Sequence, residues 1–167
     1  MITQYENFLD EDLFYDCAEY SYQLWGSQYV KFSTNQFWPE YIIQDSSLIL
    51  IHDIDKNDLR KRIEDTLQKH VRYNEISLMS FYYFTPGSHI PWHDDTKYRG
   101  AMTIYLLDGW NKNHGGLYLY NDNNTIKGLV PRKNLAIYHE GNVEHSVSAL
   151  SSHSPVRTSI QIFFDRV

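Results

Sequence analysis

The sequence predicts a mainly β fold with flanking N-terminal helices, and three observations carry that expectation. After Asn74 the chain breaks into short apolar runs parted by clusters of Gly, Pro, Asn and Ser, the pattern of a sandwich or jelly roll. Ahead of it, two stretches repeat apolar residues at helical spacing. The segment from Phe81 to Leu107 then reads as an aromatic strand, a Pro86-Gly87 turn, His93-Asp94-Asp95 and a second apolar strand. No internal repeat, linker or low-complexity tract divides the 167 residues, so 1–167 is read as one domain. Residues 1–75 are its helical support and substrate-side segment, and 76–167 its jelly-roll core.

The first helix is expected from a cap at Asp10 through Leu13, Phe14, Cys17, Tyr20, Ser21 and Leu24 to a stop at Gly26, with acidic residues in its first turn. Residues 27–56 carry mixed signals: Tyr29 to Phe32 alternates, Trp38-Pro39 punctuates, and Leu48 to Ile51 reads as a buried strand. Trp38 and Tyr41 are read as core, with a substrate-facing wall as the alternative. Asn57 or Asp58 opens the second helix, which places Leu59, Ile63, Leu67 and Val71 on one face. His70 near its end is read as solvated. The strands are expected at about 76–84, 101–107, 116–120, 125–129, 135–139, 145–150 and 157–164, with the two helices covering one sheet.

Composition bounds the function. Hydrophobic residues make up 42% and aromatic ones 16%, which supports a packed core. A net charge of -6 without a basic block argues against phosphate-driven binding of nucleic acid. Cys17, the single cysteine, cannot form an internal disulfide and is read as a buried thiol in a reducing compartment. No stretch approaches the roughly 20 apolar residues that a membrane span requires, and the N-terminus lacks a basic region followed by an apolar run. A cytoplasmic protein is the expectation.

The chemistry concentrates at His93 and Asp95. Side chains alternate between faces of an extended chain, so these two share a face while Asp94 points away. An imidazole and a carboxylate on one face supply two ligands of the facial triad that binds non-haem Fe(II). Two later histidines could supply the third. His145 lies on a strand row with Val147 and Ala149, whereas His139 precedes the Gly141-Asn142 turn and reads as half of a solvent-exposed pair with Glu140. Arg157 opens the terminal strand on a face with Ser159, Gln161 and Phe163, opposite Thr158, Ile160, Ile162 and Phe164. A guanidinium on the inner face is costly unless a carboxylate pairs with it. His89, His114 and His153 fall in loops and are not read as ligands.

In order and spacing, His93-x-Asp95, His145 and Arg157 resemble the 2-oxoglutarate- and Fe(II)-dependent dioxygenases, and the prolyl 4-hydroxylase-like branch in particular. Tyr83 to Asp95, Thr103 to Trp110 and Gly115-Gly116-Leu117 are similar to that branch's approach to its first ligand, its next strand and its GG-x-L element. The resemblance covers about residues 76–164. It implies a double-stranded β-helix, cupin-like, with iron held by His93, Asp95 and His145. It further implies that Arg157 pairs with the distal carboxylate of 2-oxoglutarate and that Tyr105 hydrogen-bonds the same group. A second cofactor-side tyrosine falls on Tyr83, or, with a one-residue gap, the position falls on Phe84. The implied reaction is hydroxylation of a C–H bond on a prolyl or other amino-acid residue in a protein, peptide or free amino acid, with release of succinate and CO2. Fe(II), 2-oxoglutarate and O2 are the implied cofactors, with ascorbate a candidate addition. The chain would act as a monomer or homodimer. Two alternatives remain: an inactive metal-binding jelly-roll module, and a nucleic-acid demethylase of the same superfamily. The second is disfavoured because Phe163 stands where that branch carries a further arginine. Arg99 is read as a loop arginine, with substrate contact as the alternative.

Overall fold

The computed structural model describes residues 1–28, 33, 34, 46, 48–55 and 57–167. Trp38, Tyr41 and the run from Tyr29 to Phe32 lie outside the described residues. The chain opens with strand β1 (Ile2–Tyr5), which no alternation in the sequence announced, and continues into helix α1 (Glu11–Gly26). The Asp10 carboxylate accepts the Leu13 N–H at 2.8 Å, and Glu11 and Asp12 favour the positive end of the helix dipole. Strands β2 (Ser33–Thr34) and β3 (Ile49–Asp53) follow. Helix α2 (Asp58–Leu67) is capped by Asn57, whose side chain accepts the Arg60 N–H at 3.0 Å. The β half then supplies β4 (Ile76–Phe84), β5 (Ile90–His93), β6 (Tyr98–Tyr105), β7 (Tyr118–Asp122), β8 (Thr125–Leu129), β9 (Ala136–Glu140), β10 (His145–Val147) and β11 (Arg157–Arg166).

Pairing divides the described strands into two sheets. The larger runs β1-β9-β6-β11-β4-β3-β2 and the smaller β5-β10-β7-β8, all pairs antiparallel, which is the jelly roll that the sequence led us to expect. Strand period decides what lies on each side of the larger sheet. Met79, Phe81 and Tyr83 of β4 and Ile160, Ile162 and Phe164 of β11 face the helices. There they form the main core with Leu13, Phe14, Cys17 and Leu24 of α1 and Ile63 and Leu67 of α2. The intervening residues, Tyr82 and Phe84 on β4 and Arg157, Ser159, Gln161 and Phe163 on β11, face the smaller sheet and line a cavity between the two. Cys17 is buried among the helix-side residues, and burial pushes its thiol up to about 12. It is therefore a small apolar filler. No helix among the described residues is long and apolar enough to cross a membrane.

One side-chain clamp joins the start of the chain to the jelly roll. Asn134, in the turn before β9 with φ of 55°, accepts the Leu9 N–H at 2.9 Å and donates to the Leu9 carbonyl at 2.7 Å. Both bonds are buried, and the left-handed backbone is one that Asn tolerates better than most residues. Asn134→Ala would leave the Leu9 backbone groups buried without partners. We expect a loss of about 2–4 kcal/mol, read as a lower midpoint in urea unfolding with an unchanged slope.

Candidate metal centre and cosubstrate pocket

The end of β5 and the start of β10 meet in register, with His145 opposite His93, and this pairing brings together residues 52 positions apart. Asp95 follows in the turn after β5. Its N–H donates to the Gly141 carbonyl at 2.8 Å, and its own carbonyl accepts the Tyr98 N–H at 2.8 Å. Asp94 points to solvent, where its carboxylate caps the turn by accepting the Thr96 hydroxyl at 2.8 Å. The result is a group of three ligand atoms, one each from His93, Asp95 and His145, all within 4.8 Å of one another.

Each imidazole has its tautomer fixed by the backbone. His93 Nδ1 lies 2.7 Å from the Pro91 carbonyl and His145 Nδ1 lies 2.9 Å from that of Val143. A carbonyl only accepts, so both Nδ1 atoms carry the ring hydrogen and both Nε2 atoms present a lone pair. Burial lowers the His93 pKa and takes that of His145 well below the usual range, which keeps the rings neutral. Burial, reinforced by the charge of Asp94, raises the Asp95 carboxyl to about 7. A cation placed among two neutral nitrogens and this carboxylate would offset the cost of its charge. The donor set thus fits a ferrous ion, with imidazole and carboxylate on one face.

The wall opposite is built around Arg157. Its side chain is fully buried, and burial lowers its pKa to about 10 against an opposing effect of Tyr105. The Phe84 ring lies 3.9 Å from the guanidinium carbon and the Tyr105 ring 5.6 Å. Nη1 donates to the Gly116 carbonyl at 2.5 Å, while Nε has no hydrogen-bond partner among the described residues. Among the described residues no carboxylate pairs with Arg157, so the counter-charge expected from the sequence does not come from them. Such a cation suits a ligand carboxylate entering the cavity. Gly115 and Gly116, with φ of 71° and 63°, make this approach possible. A Cβ on Gly116 would stand 3.1 Å from Arg157 Nη1, and one on Gly115 only 2.2 Å from the Ala149 carbonyl oxygen.

The cavity enclosed by these walls measures about 430 Å³ including its mouth. Its lining includes His93, Asp95 and His145 together with Arg157 and Tyr105, so five of the six residues singled out from the sequence converge there. Tyr105 is placed by its cross-strand pairing with Ser159. Tyr83, the sixth, is not in the lining. It faces α1, where its hydroxyl donates to the Ser21 carbonyl at 2.9 Å and its ring stacks on Trp25. The reason is parity: Arg157 pairs with Phe84 and Ser159 with Tyr82, and directly opposed residues share a face. Tyr82 and Phe84 therefore line the cavity. Tyr118, stacked on His145 with ring centroids 5.4 Å apart, also lines it and was not foreseen, although its place just after the two glycines was a usable signal. His139 is another departure. The turn reading left it exposed, yet it is buried against Asp95 while Glu140 beside it is exposed. Arg99 remains a surface side chain, 69% exposed and 4.0 Å from the Asp165 carboxylate.

With two facing sheets, a His-Asp-His cluster and a buried arginine in place, the class is that of an oxygenase jelly roll. Residues 78–165 match the model of the 2OG-Fe(II) oxygenase superfamily, a little over half of the chain. The protein belongs to that superfamily, which by its name implies Fe(II), 2-oxoglutarate and O2. Solved structures share the fold. A prolyl-4-hydroxylase from Pseudomonas putida superposes with a TM-score of 0.75 at 19% identity, covering 99% of this chain and 92% of its own. A prolyl hydroxylase from Trichoplax adhaerens, in complex with a hypoxia inducible factor oxygen degradation domain peptide fragment, gives 0.83 at 14% identity, covering 99% and 83%. The alpha ketoglutarate dependent epimerase SnoN from nogalamycin biosynthesis gives 0.74 at 11% identity, covering 98% and 77%. No curated protein matches the chain significantly.

The backbone contact that seats Asp95 yields a test. A Cβ on Gly141 would lie 1.9 Å from the Tyr98 carbonyl oxygen and 2.9 Å from that of Asp95. Gly141→Ala should therefore displace the Asp95 turn. We expect Co(II) affinity, measured by calorimetry, to fall on the order of 10- to 100-fold, the range found when the support of a metal ligand is disturbed.

Proposed function

We propose that this chain is a 2-oxoglutarate- and Fe(II)-dependent dioxygenase that hydroxylates a C–H bond, most suitably on a prolyl or other amino-acid residue of a protein, peptide or free amino acid. The observation that carries the reading is a buried guanidinium with an open donor, set in the same cavity as a His-Asp-His cluster. His93, Asp95 and His145 would hold the ion by Nε2, a carboxylate oxygen and Nε2. When bound, the ion and the oxo acid supply the oxidising chemistry, with succinate and CO2 as co-products.

The side chains bind and orient. Arg157 anchors the distal carboxylate of 2-oxoglutarate with its fork of donors, and the Tyr105 hydroxyl stands on the neighbouring strand to share it. Tyr82 and Phe84 replace Tyr83 in shaping that end of the pocket. The apolar rings of Phe84, Tyr118 and Phe163 exclude water from the reacting centre. No acid or base is required of the protein, because the bound ion, the oxo acid and O2 would supply the oxidising chemistry.

The peptide bound by the Trichoplax structure supports a peptide substrate over a nucleic acid, as does the net charge of -6. Phe163 on the inner face, in place of a second arginine, supports the same choice.

The test is succinate formation from 2-oxoglutarate, with and without iron, across proline-containing peptides and free amino acids. Iron-dependent succinate supports the reading. Absence of both turnover and 2-oxoglutarate binding to the metal-loaded protein would leave a metal-binding module instead. His93→Ala, Asp95→Ala and His145→Ala should each abolish iron-dependent turnover with an unchanged circular dichroism spectrum. Arg157→Ala should instead raise the 2-oxoglutarate concentration needed for half-maximal rate on the order of 10- to 100-fold, the worth of a charge-assisted hydrogen bond.

A further inference from the structure

One hydroxyl in the cavity is left over once the proposed ligands and the distal anchor are assigned. Tyr118, on β7, lines the cavity and is 3% exposed, yet its hydroxyl is buried and has no hydrogen-bond partner among the described residues. Tyr83, by contrast, gives its hydroxyl hydrogen to the Ser21 carbonyl. Buried polar groups are paired in folded proteins as a rule, so an open donor in a cavity wall points to an acceptor on a ligand. A phenol is protonated at neutral pH and has one hydrogen to give.

The position of the ring says which end of the cavity that acceptor occupies. Tyr118 pairs across the strands with Val147, two residues beyond His145, and packs with Leu135 and Ile137. Its ring stacks on His145, with centroids 5.4 Å apart and planes 20° from parallel. The rings beside the Arg157 guanidinium are those of Phe84 and Tyr105 instead. Tyr105 and Asp95 both lie within electrostatic reach of the Tyr118 hydroxyl, which therefore stands between the two ends of the cavity and on the His145 side.

Chemistry then names the acceptor. A 2-oxo acid chelates an ion through its keto oxygen and one oxygen of the adjacent carboxylate. The second oxygen of that carboxylate keeps its share of the charge, and in a cavity that already holds Asp95 it needs a donor of its own. Arg157 and Tyr105 are taken by the distal carboxylate. We propose that the Tyr118 hydroxyl donates to the non-chelating oxygen of the 2-oxo carboxylate, which makes Tyr118 a cosubstrate-binding residue. It fills from β7 the role that the sequence assigned to Tyr83 ahead of the Pro86-Gly87 turn. The chelate is thereby held in one orientation about the ion, with its distal arm directed at Arg157. This inference rests on the reading of His93, Asp95 and His145 as ligands and of Arg157 as the distal anchor.

The test reads binding, not turnover. Co(II), an air-stable stand-in for Fe(II), is loaded into the wild type, Tyr118→Phe and Arg157→Ala. Each is titrated with 2-oxoglutarate and with pyruvate, followed by calorimetry and by the visible absorption of the ion. Pyruvate has the same oxo-carboxylate head with a methyl group in place of the distal arm, so it separates the two ends. Tyr118→Phe keeps the ring on His145 and removes the hydroxyl alone. It should bind both acids on the order of 10- to 100-fold more weakly, with Co(II) affinity unchanged. Arg157→Ala should lose affinity for 2-oxoglutarate only. Unchanged 2-oxoglutarate affinity in Tyr118→Phe overturns the proposal and leaves the hydroxyl to a bound water. A loss confined to 2-oxoglutarate also overturns it, since that places the hydroxyl at the distal carboxylate. A fall in Co(II) affinity of the same size assigns Tyr118 to the support of His145 and overturns it too. A wild type that binds no Co(II), or neither acid once loaded, overturns the parent reading as well, so the two failures are distinct.

Discussion

A guanidinium sealed inside a protein without a carboxylate beside it is an expensive arrangement, and among the described residues the architecture around Arg157 is organised to hold one. One donor is given to the Gly116 carbonyl and the cationic face rests on the Phe84 ring, while Nε has no hydrogen-bond partner among the described residues. The two glycines before β7 exist in this form because any side chain there would meet Leu150, the Ala149 carbonyl or the guanidinium itself. Across the cavity the three ligand candidates also await an opposite charge. The pocket thus has a cationic end and a cation-seeking end, and a molecule bridging them must carry a carboxylate at one end and metal-chelating oxygens at the other. An oxo diacid has that shape.

Stability and chemistry are separated by the pleat of the larger sheet. Along β11 the residues of one parity, Ile160, Ile162 and Phe164, pack beneath α1 and α2, while those of the other, from Arg157 to Phe163, line the cavity. The helices therefore stiffen the floor on which the cosubstrate would lie without touching it. Asn134 extends the same support to the N-terminal segment, so β1 closes the sheet beside the strand that carries His139.

How legible this was depended on sequence distance. The caps at Asp10 and Asn57, the two faces of β11 and the shared face of His93 and Asp95 follow from local periods and were readable in the chain. Register was not. Tyr83 was assigned to the cavity by its closeness to the Pro-Gly turn, but the pairing of Arg157 with Phe84 reverses that assignment by one residue. Alternation within β4 alone could not decide it, because four consecutive aromatic residues, Phe81 to Phe84, leave no polar mark on either face. The burial of His139 was hidden for a related reason. A histidine beside a glutamate and a Gly-Asn turn looks solvated, and only the register that sets His139 opposite Ala101, itself opposite Phe163, puts the ring on the buried inner face. Strand β1 carried no alternation to announce it, being recruited by the edge of β9.

Strand β8 ends the smaller sheet among the described strands, pairing with β7 on one side only, with Thr125 to Gly128 exposed. A bare row of amides with Ile126 standing 66% exposed would invite another molecule to add its own strand. Gly128 leaves that strand without a side chain to pack there, and Lys127, held by Asp122, sets a charge on it. Even at high concentration, this short strand is a poor template for a second copy of the chain.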